Sequence, residues 1–268
     1  ACLDLSSGRF AVQQLDSLEA LTSELERLKP AELLLPEDYV LPGTTKRHTT
    51  GRPVWPFELD SATQLLTEQF GTRDLNGFGC QEMPQAISAA GCLLQYVGET
   101  QRGALPHVRG LSVERRDEAL IIDAATRRNL EIDHSATGHK RHTLLGLMDH
   151  TATAMGSRTL ARWLNRPLRD RDSVRARHNA IEELLTGQHA SNLHDTLGGM
   201  GDIERILARI ALKSARPRDL AVLRDSLGLL PQLTRQLAGL ESDLTAQLTR
   251  DLGPFPDTHG LLVRAIID

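Results

Sequence analysis

From Thr143 onward the chain places leucines and other aliphatic residues at three- and four-residue intervals, and this spacing constrains its fold more than any other feature. Residues three and four apart share one face of a helix, so the pattern predicts a series of amphipathic helices. "MGSRTLARWLNRP" reads as a helix running to Pro167, and "SVRARHNAIEELL" as the next, with Asp172 or Ser173 as N-cap. "GDIERILARIALKS" has Asp202 as its cap, and "RPRDLAVLRDSLGLLPQLTRQLA" carries Pro217 in its first turn, where the missing N–H does no harm. "DLTAQLTRDL" and "HGLLVRAIID" complete the set. Long helices with short connections predict a bundle or lever-like array. Only 3% of the residues are aromatic, so the core must rest on Leu, Ile, Val and Ala. No repeat of fixed period is present.

The first half reads differently, as mixed α/β. "ACLDL" and "RFAVQQL" are short β runs joined by Ser-Ser-Gly, which predicts a hairpin. Ser17 to Leu28 is helical in period, with Asp16 or Ser17 as cap and Pro30 just beyond its end. "AELLL" is a further strand, so the order strand, strand, helix, strand predicts one small sheet carrying helices. Residues 40–56, with Pro42, Pro53, Pro56, Gly43, Gly51, Lys46, Arg47 and His48, read as a surface loop. Asp60 is the expected N-cap of "SATQLLTEQF", whose apolar stripe is Ala62, Leu65, Leu66 and Phe70, with Gly71 just past its end. After Pro84, "QAISAAGCLLQYVGETQ" is an apolar, small-residue helix expected to be buried by its neighbours. "GLSVER" and "EALIID" alternate like a closing hairpin.

"FGTRDLNGFG" raises the question of a phosphate loop. Such a loop follows a strand and opens a helix, whose first N–H groups face the anion. Here the glycines follow a helix instead. Neither GxxxxGK[ST] nor GxGxxG occurs, and Lys29, Lys46, Lys140 and Lys213 are the only lysines. The stretch reads as a backbone joint, pinned by Arg73 and Asp74.

Charge is divided unevenly. Residues 1–119 hold 11 Lys/Arg against 17 Asp/Glu, and residues 120–268 hold 20 against 18, within a total of −4. The acidic half is a poor surface for phosphate, whereas the second half remains open to it. Cys2, Cys80 and Cys92 form no CxxC pair, which points to buried thiols in a reducing cytoplasm. No apolar run approaches the ~18 residues of a membrane span. The chain opens without Met in a strand pattern and closes in a helical one. The expectation is a piece of a longer protein.

Eight blocks, in order, carry a resemblance: "SSGRF", "PAELLLPED", "FGTRDLNGFG", "AAGCLLQYV", "LPHVRGL", "IIDAATRRNLEI", "TAMGSRTLARWLNRPLRD" and "GDIERILARIALKSARPRDL". Together they resemble the middle of the MutS family of bacterial DNA mismatch-repair proteins, from Ala1 to Asp268 without a large gap. The resemblance implies an RNase-H-like connector domain over about residues 1–119. It implies the first segment of the helical core, or lever, domain over about 120–268. It also marks what this stretch lacks. The family's Phe-x-Glu mismatch reader does not occur, and Phe57-Glu58 beside Pro56 lacks its spacing. The DNA-gripping clamp and the P-loop ATPase, with its ATP and Mg²⁺, lie elsewhere in the family's longer chains. The stretch is therefore expected to have no cofactor, metal or catalytic residue of its own. It is expected to couple mismatch binding to the ATPase inside a cytoplasmic, nucleoid-associated homodimer acting on mismatched duplex DNA.

The resemblance also implies a docking surface for the partner MutL on the helix matching "DSATQLLTEQF". Thr63, Gln64, Leu65 and Glu68 are the candidates, and Glu58 and Asp60 add acidic character suited to a basic patch. Relatives often carry two glutamines where this chain has Gln64 and Leu65. A second candidate surface is the run Arg158, Arg162, Arg166, Arg169, Arg171, Arg175 and Arg177, opposed only by Asp170 and Asp172. The first three are spaced i, i+4, i+8 on one predicted helix face. A phosphate-tracking stripe has this pattern, and so does a face engaged in ion pairs. It supports the alternative of an autonomous, non-specific DNA-binding module. At the expected junction, Asp123 precedes a short helix, and Arg127, Arg128 and Asn129 are candidates for bonds across a domain interface.

Two enzymatic readings are weaker. His134, His139, His142 and His150 lie in a polar loop with no cysteine near, so zinc ligation lacks its usual companions. An RNase-H-like nuclease needs clustered carboxylates for two Mg²⁺ ions, and only Asp4 on the first strand suggests itself.

Overall fold

The structure, a computed structural model, describes residues 1–42 and 49–266. The chain divides into two compact units, Ala1–Arg115 with Ile122–Ala124, and Arg116–Ile121 with Ala125–Asp268. The first is α/β and the second is helical.

In the first unit β1 (Cys2–Asp4) and β2 (Arg9–Val12) form the expected antiparallel hairpin, with Leu3 opposite Phe10. The Asp4 carboxylate accepts from Ser6 N and from the Ser6 and Ser7 hydroxyls at 2.7–2.9 Å, which sets the turn. α1 (Leu18–Leu28) is capped by Ser17, whose hydroxyl accepts from Ala20 N at 3.1 Å. β3 (Leu33–Pro36) forms as predicted but in a different place. It pairs in parallel with β4 (Thr49–Arg52) to make a second, two-stranded sheet. So the reading of 40–56 as loop fails at Thr49–Arg52. The β-branched Thr49 and Thr50 fit the extended ladder, and Pro53 stands outside it. The part of that reading covering Gly43, Lys46, Arg47 and His48 lies outside the described residues.

α2 (Leu59–Phe70) and α3 (Pro84–Gln101) form the main helical pair of this unit. α2 begins one residue before the expected cap. Glu58 takes the N-cap position with extended backbone, and Asp60 falls in the first turn. Gly71 ends the helix in the left-handed region at φ 64°, a conformation that glycine adopts without strain. Pro84 opens α3 as predicted. The two helices cross at Gly91, where a Cβ would stand 2.3 Å from the Ala62 Cβ and 2.5 Å from its Cα. Ala62, Leu66, Ala90, Gly91 and Leu94 are buried along this crossing. A fully buried leucine such as Leu66 contributes roughly 2 kcal/mol through the water it leaves.

The expected closing hairpin of "GLSVER" and "EALIID" does not form. β5 (Ser112–Val113) instead joins β2 in parallel, giving a sheet ordered β1-β2-β5. Residues 116–121 belong to the helical unit. There Ala119 bridges Leu168 antiparallel, Leu120 N donates to Pro167 O and Arg169 N donates to Glu118 O. The alternation of both segments is real, but each finds a distant partner in place of its neighbour.

The second unit contains α4 (Ala124–Asn129, shared at its first residue with the other unit), α5 (Leu144–Met148), α6 (Ala154–Asn165) and α7 (Arg171–Leu185). Then follow α8 (His189–Gly198), α9 (Ile203–Ala211), α10 (Pro217–Leu237), α11 (Asp243–Asp251) and α12 (Pro256–Ala265). α10 is the axis. Its Leu223, Leu227, Leu230 and Leu233 form the core with Ile206 and Leu262, and Leu193 and Leu197 of α8 pack against them. α8 is absent from the sequence reading, because its polar run of His, Ser and Asn hides the two leucines spaced i, i+4. The cap of α7 is Asp170, not Asp172 or Ser173. Its carboxylate accepts from Ser173 N at 2.9 Å, the reach of an N-cap to the third helical residue.

One cap is supplied from another helix. Glu183, near the end of α7, accepts from the backbone N–H groups of Glu241 and Ser242 and from the Thr245 hydroxyl, at 3.0 Å for the last. It thereby serves the N-terminus of α11, where unpaired N–H groups favour a negative charge. The Glu241 N–H is the main cause holding the Glu183 carboxyl down at about 2. A group with a depressed folded pKa stabilises the fold above its unfolded value, and that contribution is lost as pH falls through the folded one. Stability of the helical unit is therefore expected to decline between about pH 4.5 and about pH 2 on this account. Glu183→Gln should flatten that part of an acid-unfolding profile followed by circular dichroism. An unchanged profile would remove Glu183 from the linkage.

Candidate partner-docking helix and arginine cluster

α2 presents the first candidate surface. Its inner face is fixed by Ala62 and Leu66, and Gln69 adds a polar anchor by donating through Nε2 to Leu105 O at 2.9 Å and Val108 O at 3.0 Å. Sequence reasoning missed Gln69, although its place one residue before Phe70 was open to view. Gln64 and Glu68 point to solvent, and Gln64 Nε2 donates to Glu68 Oε1 at 2.9 Å along the i, i+4 direction. Thr63 and Leu65 are half-buried, and the Thr63 hydroxyl donates to Leu59 O at 2.7 Å. So two of the four predicted residues are fully available, and the other two flank them.

The joint after α2 behaves as a joint. Asp74 Oδ1 accepts from Asn76 N at 2.9 Å, an Asx turn leading into a 3₁₀ turn at Asn76–Phe78, and Gly79 closes it at φ 70°. Phe78 returns to Phe70 with ring centroids 4.9 Å apart. Arg73 is exposed and makes no hydrogen bond or ion pair among the described residues. Asp74 therefore pins the joint and Arg73 does not share in it.

The arginine run does not form one open stripe. α6 ends at Asn165, and Arg166 leaves the helix with φ −142° and ψ 71°. Pro167 follows, and the residue before proline is driven away from helical backbone. Arg166 then pairs with Glu118 at 3.0 Å. Arg158 is held by α9: Nη1 and Nη2 donate to the Asp202 carboxylate at 2.8 and 2.7 Å, and Nε and Nη2 to Glu204 Oε2 at 3.1 and 2.6 Å. Arg162 Nη2 donates to the Thr159 hydroxyl at 2.7 Å. Arg175 pairs with Asp172, and the Arg177 guanidinium lies 3.7 Å above the Trp163 ring.

Arg158 pulls the Asp202 carboxyl below the ordinary aspartate range by hydrogen bonding, and Asp202 also caps α9 through Arg205 N at 3.3 Å. One carboxylate thus serves a helix end and an ion pair together. Arg158→Ala is expected to destabilise the helical unit by about 2 kcal/mol, since the carboxylates left behind are only partly solvated. Urea unfolding of the variant beside Arg162→Ala measures the difference, and equal midpoints would deny Arg158 this role.

Of the junction candidates, Arg127 is buried within the helical unit. Its guanidinium donates to the Asn165 side chain and, through Nη2, to Asn165 O at 3.1 Å. Its bonds with Asn165 thus lie inside one unit. Asp123 directly precedes α4, and Asp123 and Arg128 are both exposed. The histidines stay on the surface. His139 and His142 meet edge to face at 5.4 Å, and the Thr137 hydroxyl bonds His142 Nδ1 at 2.9 Å. Among the described residues, no three or more His, Cys, Asp or Glu side chains converge as a metal site, and no helix is long and apolar enough to cross a membrane. Cys80 and Cys92 are buried, where burial raises their thiols, and Cys2 is partly so.

One buried ion-pair cluster was not foreseen. Glu114 is buried and shared by two arginines: Arg9 Nη2 donates to Oε1 at 2.8 Å and Arg27 Nη2 to Oε2 at 2.9 Å. Arg27 Nε also donates to Glu24 at 2.7 Å. This cluster ties together the start of β2, the end of α1 and the residue after β5.

Both parts of the chain match known protein families. A family model described as MutS domain II matches residues 1–109, and one described as MutS domain III matches residues 125–268. The mixed sheet with its helices lies in the first range and the helical array in the second. The chain belongs to the MutS family, whose domains II and III it carries.

Proposed function

We propose that this chain is the coupling part of a DNA mismatch-recognition protein, without catalysis of its own. Its connector part, over about residues 1–119, docks a MutL-type partner through α2. Its lever part, over about 120–268, carries changes between the mismatch reader and an ATPase that supplies ATP and Mg²⁺ chemistry elsewhere in a homodimer. The observation that carries the docking reading is the division of α2. One face is fixed against α3 at the Gly91 crossing, while Gln64 and Glu68 stand in solvent on a rigid helix. A helix so held presents a surface at low entropic cost to binding. Asp123 and Arg128 remain candidates for contacts made in the longer protein.

The test is binding of the chain to its cognate MutL-type protein by calorimetry. Gln64→Ala and Leu65→Ser, each checked for native circular dichroism, should weaken binding by roughly fivefold to tenfold. Undiminished binding by both variants would move the docking surface off α2. The alternative of an autonomous DNA-binding module draws less support. Arg158 and Arg166 spend their charge on Asp202, Glu204 and Glu118, which leaves less of it for phosphate.

A further inference from the structure

The turn that leads into α2 exposes large apolar side chains. Val54, Trp55 and Leu59 are 56%, 53% and 42% exposed, within six residues of chain. They do not dangle. Trp55–Phe57 is a 3₁₀ turn packed on α3 with Pro56 buried beneath it. Phe57 N donates to Val54 O at 2.9 Å, Glu58 N to Trp55 O at 3.1 Å and Ala62 N to Glu58 O at 2.9 Å, so the turn runs directly into α2. A tryptophan on a turn whose backbone is already bonded has less ordering entropy to lose on binding, and tryptophan is enriched at the energetic centres of protein interfaces.

The charges carried by the turn and the start of α2 are acidic, and Arg52, the nearest described cation before them in the chain, is paired with Glu99 at 2.8 Å. Glu58 and Asp60 are exposed among them, and from Pro53 to Thr72 the sequence contains no Lys or Arg. Such a rim repels acidic partners and steers basic ones. We infer that Val54, Trp55 and Leu59 form the apolar anchor of the docking surface, and that Glu58 and Asp60 select a protein partner whose apolar pocket is rimmed by lysine or arginine. This inference rests on the docking reading of α2 and extends that surface across its N-terminal end.

Interferometry of the whole chain against the cognate MutL-type protein, at two salt concentrations, tests it. Trp55→Ala is expected to weaken binding about tenfold or more, and Leu59→Ser to weaken it severalfold. The double variant Glu58→Lys/Asp60→Lys should weaken binding and flatten its salt dependence. Circular dichroism and melting temperature establish folding. If Trp55→Ala does not fold, Leu59→Ser and the charge swap carry the test. Folded variants that bind like wild type, while Gln64→Ala binds weakly, overturn the anchor and leave α2 docking intact. No binding by the wild-type chain overturns both. Concentration-dependent self-association abolished by Trp55→Ala assigns the patch to a second copy of the chain, and likewise overturns it.

Discussion

Gly91→Ala is expected to destabilise the α/β unit by about 2 to 3 kcal/mol, although alanine is the better helix former. The new methyl would stand 2.3 Å from the Ala62 Cβ and 2.5 Å from its Cα. Carbon atoms pack at about 3.5–4.0 Å, so α2 and α3 would have to part by more than about 1 Å along a buried crossing. The obstacle includes backbone, which no rotamer change relieves. Gly98 on the same helix has nothing within 4 Å of its would-be Cβ. Gly98→Ala is expected to stabilise by up to about 1 kcal/mol. Thermal unfolding of the two variants should give shifts of opposite sign, with a fall of about 10 °C for Gly91→Ala. Two shifts of the same sign would mean that the helix crossing is looser than the geometry indicates.

The second large effect is at Glu114. Removing it as Glu114→Ala leaves Arg27, 13% exposed, with Glu24 alone, and leaves Arg9, 43% exposed, to solvent. Breaking a buried charge pair from one side costs about 3–5 kcal/mol, and the exposure of Arg9 with the surviving Glu24 bond places this case near about 3 kcal/mol. The double replacement Glu114→Leu/Arg27→Leu should recover much of that loss, because no orphaned charge remains. Urea midpoints of the single and double variants form the measurement. If the double variant is as unstable as the single one, packing rather than orphaned charge sets the loss.

The two sites differ in how far the sequence could show them. The helix starts at Ser17, Asp202, Pro84 and Pro217 and the stop at Gly71 are set by chemistry within a few residues, and they fall where that chemistry puts them. The small-residue character of α3 foretold burial, though not that Gly91 in particular meets Ala62. Glu114 draws its partners from 105 and 87 residues away, so no local pattern announces it. The same distance defeats strand pairing: β3 with β4, β5 with β2, and Ala119 with Leu168 are choices among chain segments, and alternation does not make them. Arg166 is an instructive intermediate case. Pro167 marks the end of the helix in the sequence, but its effect reaches back one residue and takes Arg166 off the face to which the i+8 spacing assigns it.

The passage of the chain between the units has a consequence for recombination. Residues 116–121 are claimed by the helical unit before residues 122–124 return to the α/β unit. A crossover that joins the connector of one homologue to the lever of another within 116–121 can draw the two sides of the Ala119–Leu168 ladder, and with them the Glu118–Arg166 ion pair, from different parents. A crossover at Arg115 would transmit that ladder whole. Viable hybrids, whether drawn in the laboratory or left by gene exchange, should therefore carry the 116–121 segment and its 166–169 counterpart from the same parent.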